Sequence, residues 1–219
     1  MEDSRSAARE LMKKHLQAGD PTGWFEPLYC AAAGDSARIP WADMRPNSNL
    51  VRWLEANPSS ARSGKGLVVG CGLGDDAEAL AARGLRVTAF DVSPAAIEWC
   101  RRRFHGSMVD YQVADACDLP KSWLGTFDFV FEAYTLQVLP MDLRKRACDQ
   151  IAGCLGLAGQ LLVVARARES HEPEGNMPWP LTRVDLSEFE KKGLKLVRLE
   201  DYLDEEESPV RRFRALYSR

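Results

Sequence analysis

The sequence predicts an α/β protein: a doubly wound, mostly parallel sheet behind an N-terminal helical cover. Three observations predict it. From Gly66 onward, apolar runs alternate with segments of helical period. The runs are nearly continuous, as in Leu67-Val68-Val69 and Leu161-Leu162-Val163-Val164-Ala165, which suits strands covered on both faces. The first run ends in a glycine-rich turn, Gly70-Cys71-Gly72-Leu73-Gly74, and the second ends in a carboxylate, Asp91.

Residues 1–64 precede the first core strand, and residues 65–219 form the core; together they read as one compact unit. A helix is expected over 4–18, with Ala8, Leu11, Met12 and Leu16 on one face and Gly19-Asp20-Pro21 as its stop. The aromatic segment Trp24-Phe25-Glu26-Pro27-Leu28-Tyr29 and a small-residue stretch, Ala31 to Gly34, read as irregular cover. A second helix is expected over 48–56, capped by Asn47 and packed through Leu50, Trp53 and Leu54. The core then alternates: strand 66–70, helix 75–83, strand 86–91, helix 94–104 behind the cap Ser93, strand 110–114, strand 127–132, helix 141–155 and strand 159–166. Beyond a polar, proline-rich loop holding Trp179, a short helix 186–192 is followed by strands 194–199 and 210–217. These two strands, with the acidic turn Asp204 to Glu207 between them, read as an antiparallel hairpin.

Composition excludes several classes. A net charge of −3 and a pI near 5.7 argue against a nucleic-acid binder. No apolar run approaches the ~20 residues of a membrane helix, and Met1-Glu2-Asp3-Ser4-Arg5 starts no secretory signal. The expectation is a cytoplasmic protein, a monomer or weak homodimer, with neither membrane nor nucleic acid as partner. The six cysteines form no C-x-x-C pair and read as reduced thiols, mostly buried. His15, His105 and His171 are scattered, so no metal site is expected.

In a doubly wound fold ligands bind at the carboxyl ends of the strands. Gly70 to Gly74, Asp91, Asp115 and Glu132 all fall there. Glycines at such a turn let backbone N–H groups approach a ligand. A dinucleotide turn wants G-x-G-x-x-G, but here Asp75 stands at the third glycine and Asp76 follows it. Two carboxylates there disfavour a pyrophosphate and are compatible with a cationic ligand such as S-adenosylmethionine.

At these positions the chain resembles class I S-adenosylmethionine-dependent methyltransferases. Val68-Val69-Gly70-Cys71-Gly72-Leu73-Gly74-Asp75 looks like their first motif. The resemblance implies that Gly70, Cys71 and Gly72 lie against the cofactor. It also implies that Asp91, with Val92 and Ser93 beside it, grips the ribose, and that Asp115-Ala116 meets the adenine amino group. Phe127-Asp128-Phe129-Val130-Phe131-Glu132 is similar to the fourth motif, so Glu132 is a further cofactor-binding candidate and the residues after it floor the acceptor site. The implied architecture is a seven-stranded Rossmann-like sheet with one reversed strand. Trp24 upstream of Ile39-Pro40-Trp41 is similar to the thiopurine, thiol and halide methyltransferases and to tellurite-resistance methyltransferases, in which a Trp in this context packs near the cofactor. Glu132-Ala133-Tyr134 stands where the thiopurine enzymes carry Asp-Arg.

The expected activity is methyl transfer from S-adenosylmethionine, leaving S-adenosylhomocysteine, to a small-molecule acceptor by in-line displacement. Positioning carries much of such a reaction. Sequence logic offers no strong base on the rim, which favours a soft sulfur, selenium, tellurium or halide nucleophile. Tyr134 is the catalytic candidate, and Trp24, Tyr134 and Trp179 are the acceptor-contact candidates. A small-molecule O- or N-methyltransferase is the alternative. An NAD(P)-dependent oxidoreductase and a non-catalytic cofactor-binding subunit are the readings from other classes.

Overall fold

A computed structural model describes residues 2–205 and 208–219. Seven strands form one sheet: β1 (Lys65–Val69), β2 (Arg86–Asp91), β3 (Asp110–Val113), β4 (Phe127–Ala133), β5 (Leu155–Arg166), β6 (Lys195–Leu203) and β7 (Arg211–Ser218). Their order is β3-β2-β1-β4-β5-β7-β6. The first five pair in parallel, and β7 runs antiparallel between β5 and β6. The chain reverses at β1, where β2 and β4 lie on either side, and this is the switch point at which doubly wound sheets place a ligand.

The helices are α1 (Glu2–Gln17), α2 (Phe25–Ala32), α3 (Ser48–Ala56), α4 (Asp75–Ala82), α5 (Pro94–Arg103), α6 (Met141–Cys154) and the single turns α7 (Arg183–Leu186) and α8 (Glu188–Lys191). On one face of the sheet Val69, Val130, Leu161 and Val163 pack with Ala147, Cys148 and Ile151 of α6 and with Phe189 of α8. On the other, Val68, Ala89, Phe129 and Leu162 pack with Leu50 and Trp53 of α3, Leu80 of α4 and Ile97 of α5. Alternate residues of each strand thus go to opposite apolar layers, and the runs read as continuous because both faces are dry.

A third apolar cluster joins the cover to the rim. Ala8 and Met12 of α1, and Leu28, Tyr29 and Ala32 of α2, pack with Trp24, Leu73, Met177 and Trp99 of α5. Glu26 of α2 ties the two polar sides together: its Oε2 accepts from Ser93 Oγ at 2.5 Å and from Ala95 N at 3.0 Å. A carboxylate at the start of α5 also meets the positive end of that helix.

The structure differs from the sequence reading in four places. Residues 25–32 are helical. Pro27 sits in the first turn of α2, where a missing N–H costs nothing. β5 starts at Leu155, directly after α6, and absorbs Gly156 and Gly159 through a register shift against β4. The helix expected at 186–192 is two turns, the first held by a capping box between Thr182 and Asp185. β6 runs on to Leu203 although Glu200 and Asp201 are charged. Arg214 pairs with Glu200, and Arg183 and Arg211 pair with Asp201, so the acids are answered across the strands. In the acidic turn expected after it, Glu206 and Glu207 lie outside the described residues.

Candidate active site

The rim is organised by the Gly70–Gly74 turn. Gly70, Gly72 and Gly74 all have positive φ, 57°, 54° and 91°. Their reasons differ. A Cβ on Gly70 would lie 2.2 Å from Thr135 Oγ1, and one on Gly74 would lie 2.6 Å from the Tyr111 hydroxyl. Those two glycines permit packing. A Cβ on Gly72 would meet the Tyr29 hydroxyl at 3.4 Å and Trp41 Nε1 at 3.9 Å. Gly72 therefore lies directly beneath Tyr29 and Trp41 of the aromatic cover. Trp41 Nε1 donates to the Tyr29 hydroxyl at 2.9 Å, and Trp41 is 39% exposed, so it forms the outer wall. Tyr29 is buried, and burial holds its phenol well above the usual tyrosine range.

Asp91 closes the other side. Its Oδ2 accepts from Gly72 N and its Oδ1 from Ser93 N, each at 3.0 Å. Burial raises its carboxyl to about 6, against the lowering effect of these N–H groups. Ser93 caps α5 by accepting from Ala96 N at 3.1 Å, and Val92 lies half-buried between Ser93 and Asp91. Cys71 is half-buried beside Cys100, whose thiol donates to Gly72 O at 3.2 Å; their mutual hydrogen bond and burial push the Cys71 thiol up. Asp115 follows β3 on the same rim and turns its chain by accepting from Cys117 N at 2.8 Å, with Ala116 buried behind it.

The two aspartates after the turn do not face its mouth. Asp75 is paired bidentately with Arg103 at 2.8 and 2.9 Å, and Asp76 accepts from Asn47 N at 2.7 Å. The repulsion argument drawn from their sequence position is thereby corrected. One charge is neutralised, and burial raises the other carboxyl to about 6.

At the end of β4 the chain turns sharply. Glu132 is wholly buried. Its Oε1 accepts from Thr135 N at 2.8 Å and Leu136 N at 3.0 Å, while its Oε2 has no protein partner. Burial raises its carboxyl to about 7. Glu132 thus lies beneath the rim and shapes the turn above it. Tyr134 is on the rim, with φ of 65° and its hydroxyl 3.2 Å from Asn49 Nδ2 of α3. Gln137 receives Arg166 N on its side-chain oxygen at 2.9 Å, and its backbone oxygen accepts from Trp179 N at 2.7 Å. The proline-rich loop is thereby hung on the β4 turn. Trp24 is fully buried, stacked on Phe25 at 3.9 Å and edge-on to Trp41 at 5.9 Å, with Nε1 unpartnered. The structure therefore gathers Trp41, Gly70, Cys71, Gly72, Asp91, Val92 and Ser93 around the turn. Tyr134 and Trp179 lie along the neighbouring β4 turn, while Trp24 and Glu132 are inside. Tyr29, Glu26, Thr135 and Asn49 were not singled out in the sequence. The aromatic run around Tyr29 was the available signal for the first, and the other three carry none.

Among the described residues, no helix is long and apolar enough to cross a membrane, and no group of three or more His, Cys, Asp or Glu could hold a metal ion.

The seven-stranded, mostly parallel sheet with β7 reversed, and the glycine turn at its switch point, form a Rossmann-like methyltransferase fold. The known proteins agree with the geometry: residues 67–159 match the family model described as a methyltransferase domain. Over 123 residues, 55% of this chain, it is 32% identical to the ubiquinone biosynthesis O-methyltransferase of Thiobacillus denitrificans, and it spans 46% of that relative's length. Two solved structures share the fold. The N-methyltransferase NodS from Bradyrhizobium japonicum, in complex with S-adenosylhomocysteine, is 22% identical, with a TM-score of 0.69 over 87% of this chain and 97% of that one. The 1,6-didemethyltoxoflavin-N1-methyltransferase of Burkholderia thailandensis is 18% identical, also with a TM-score of 0.69, over 89% and 87%.

Proposed function

We propose that this chain transfers a methyl group from S-adenosylmethionine to a small-molecule acceptor. The observation that carries the reading is the Gly72 turn, held by Asp91 on the core side and faced by Tyr29 and Trp41 of the cover. The residues fit the cofactor. The Asp91 carboxylate would accept from the ribose hydroxyls, Asp115 and Ala116 would meet the adenine, and the N–H groups of the turn and the Tyr29 hydroxyl would meet the polar end. When bound, the cofactor supplies an electrophilic methyl on a sulfonium. The chain's own part is to hold the acceptor in line and to exclude water, and the N-terminal 64 residues do the latter by laying Trp24, Phe25 and Trp41 over the turn.

The polar corner at Tyr134 supports one class of acceptor atom over another. The sequence favours a soft nucleophile because it offers no strong base on the rim, with Tyr134 only a candidate. With a phenol held by Asn49 at the β4 turn, we favour a protic oxygen or nitrogen acceptor. The soft sulfur, selenium, tellurium or halide acceptor, and the thiopurine and tellurite-resistance subgroup with it, is the second reading, supported by Trp24 and the Ile39-Pro40-Trp41 stretch alone.

Titration calorimetry with S-adenosylmethionine and S-adenosylhomocysteine tests the first claim. Binding is expected, and Asp91→Ala should weaken it more than about tenfold; absence of binding in the unmodified protein would refute it. A turnover panel of phenols, amines, thiols and iodide, read as S-adenosylhomocysteine release, decides the acceptor.

A further inference from the structure

Tyr134 is both strained and clamped. A left-handed backbone strains a non-glycine residue and persists only where the surroundings dictate it. Here they come from two distant elements. Asn49 of α3 contacts the hydroxyl. The Arg212 guanidinium of β7 lies 5.0 Å from the ring centroid, and Arg212 is itself paired with Asp204 at 2.6 Å, both side chains 4% exposed.

The direction of the Asn49 hydrogen bond is set by its neighbours. Asn47 Oδ1 accepts from Asn49 N at 2.9 Å and lies 3.2 Å from Asn49 Nδ2. An oxygen there requires the NH2 end of the Asn49 amide. The other end, Oδ1, accepts from the Tyr202 hydroxyl of β6 at 2.6 Å. The NH2 end is also the one facing Tyr134, so the Tyr134 oxygen accepts. A donor on the phenol oxygen and a cation over the ring both favour negative charge on that oxygen.

We propose that Asn49 is a positioning residue, fixed by Tyr202, and that with Arg212 it tunes Tyr134 to take the proton of a protic oxygen or nitrogen acceptor. The reading rests on the methyltransferase assignment for the identity of the acceptor. In the step, the acceptor's O–H or N–H bond breaks, its proton joins the Tyr134 phenolate oxygen, and the electron pair stays on the acceptor as the nucleophile. The phenol then returns the proton to solvent. Among the described residues, the titratable and charged groups around Tyr134 and its partners include Tyr202 and Glu200 on β6, Asp204 beyond it, and Arg212 and Arg214 on β7.

The test reads the phenol itself. Tyrosinate absorbance is titrated in the full-length protein, and the same chain with Tyr134→Phe is subtracted, first in the unmodified background, then with Asn49→Leu and with Tyr202→Phe. Loss of one hydrogen bond to a charged oxygen should move the Tyr134 midpoint up by about one pH unit in Asn49→Leu, and less in Tyr202→Phe. The rise in kcat with pH should shift by the same amount, with S-adenosylhomocysteine affinity held within about twofold of the unmodified value. An unchanged Tyr134 midpoint in the variants overturns the proposal, and Tyr202→Phe alone decides it if Asn49→Leu does not fold. A chain that binds no S-adenosylhomocysteine sinks the methyltransferase reading instead, because the phenol titration needs no cofactor.

Discussion

At the glycine turn, polar side chains are answered by nearby backbone: Asp91 by Gly72 N and Ser93 N, Asp115 by Cys117 N. At the Tyr134 corner, polar side chains are answered by other side chains, from α3, β6 and β7. The first half of the rim follows from strand ends and turn geometry. The second exists only when chain segments 85 and 153 residues apart have come together. A main-chain frame suits a part whose ligand has fixed polar groups. A side-chain frame can be retuned by single substitutions and suits the part that chooses among acceptors.

Variants of the turn probe this contrast most strongly. Gly70→Ala places a Cβ 2.2 Å from Thr135 Oγ1 at a φ of 57°, so overpacking and backbone strain add, and a loss of about 3 kcal/mol is expected in urea unfolding. Gly72→Ala meets nothing closer than 3.4 Å and should cost only the strain, about 1 kcal/mol, while weakening cofactor binding. Equal costs would show that packing against the β4 turn is not what distinguishes the two glycines.

Glu132 gives an effect of similar size that depends on pH. Its folded value, about 7, lies above the ordinary 4.5, so the folded state binds more protons between those values and stability falls as pH rises through that window. Asp76 and Asp91 act in the same direction between 3.8 and about 6. Glu132→Gln keeps an acceptor for Thr135 N and Leu136 N and removes the charge. It should flatten the pH profile of unfolding and stabilise the protein above pH 7 by about 3 kcal/mol. A profile that Gln leaves unchanged would mean that Glu132 is not titrating in the folded state.

Glu26→Ala removes two charge-assisted bonds between cover and core and should loosen the cover by about 2 kcal/mol. Hydrogen exchange should quicken in α1 and α2 and stay unchanged in α6 and β5; exchange quickened everywhere would make the tie a part of global stability. Trp41→Phe loses the bond to the Tyr29 hydroxyl and part of the ring packing on Trp24 and Phe25, and about 1 kcal/mol of unfolding stability is expected to go with them.

The contrast also explains what could be read in the sequence. The alternation of strands and helices, the closing hairpin and the placement of Gly70 to Gly72, Asp91 and Ser93 at strand ends follow from apolar period and local capping, which are short-range signals, whereas the reversed strand came from the family resemblance. α2 escaped because Pro27 in its first turn resembles a break. The end of β6 escaped because Glu200 and Asp201 look like loop residues until Arg214, Arg211 and Arg183 are beside them. Asp75 and Asp76 were placed correctly in the chain, yet their charges turned to Arg103 and Asn47, partners 28 and 29 residues away. Asn49 was legible as part of a helix and illegible as a hub, since its partners lie just after β4 and on β6 and β7.

The insertion of β7 between β5 and β6 also sets an order of assembly. Among the described residues β6 pairs with β7 alone, and β7 follows β6 in the chain. As the polypeptide emerges during synthesis, β1 to β4 and the glycine turn can close once residue 133 is out, whereas β6 waits as an unpaired strand for residues 211–218. The charges on β6, Glu200 and Asp201 among them, keep that waiting strand from pairing with the wrong neighbour.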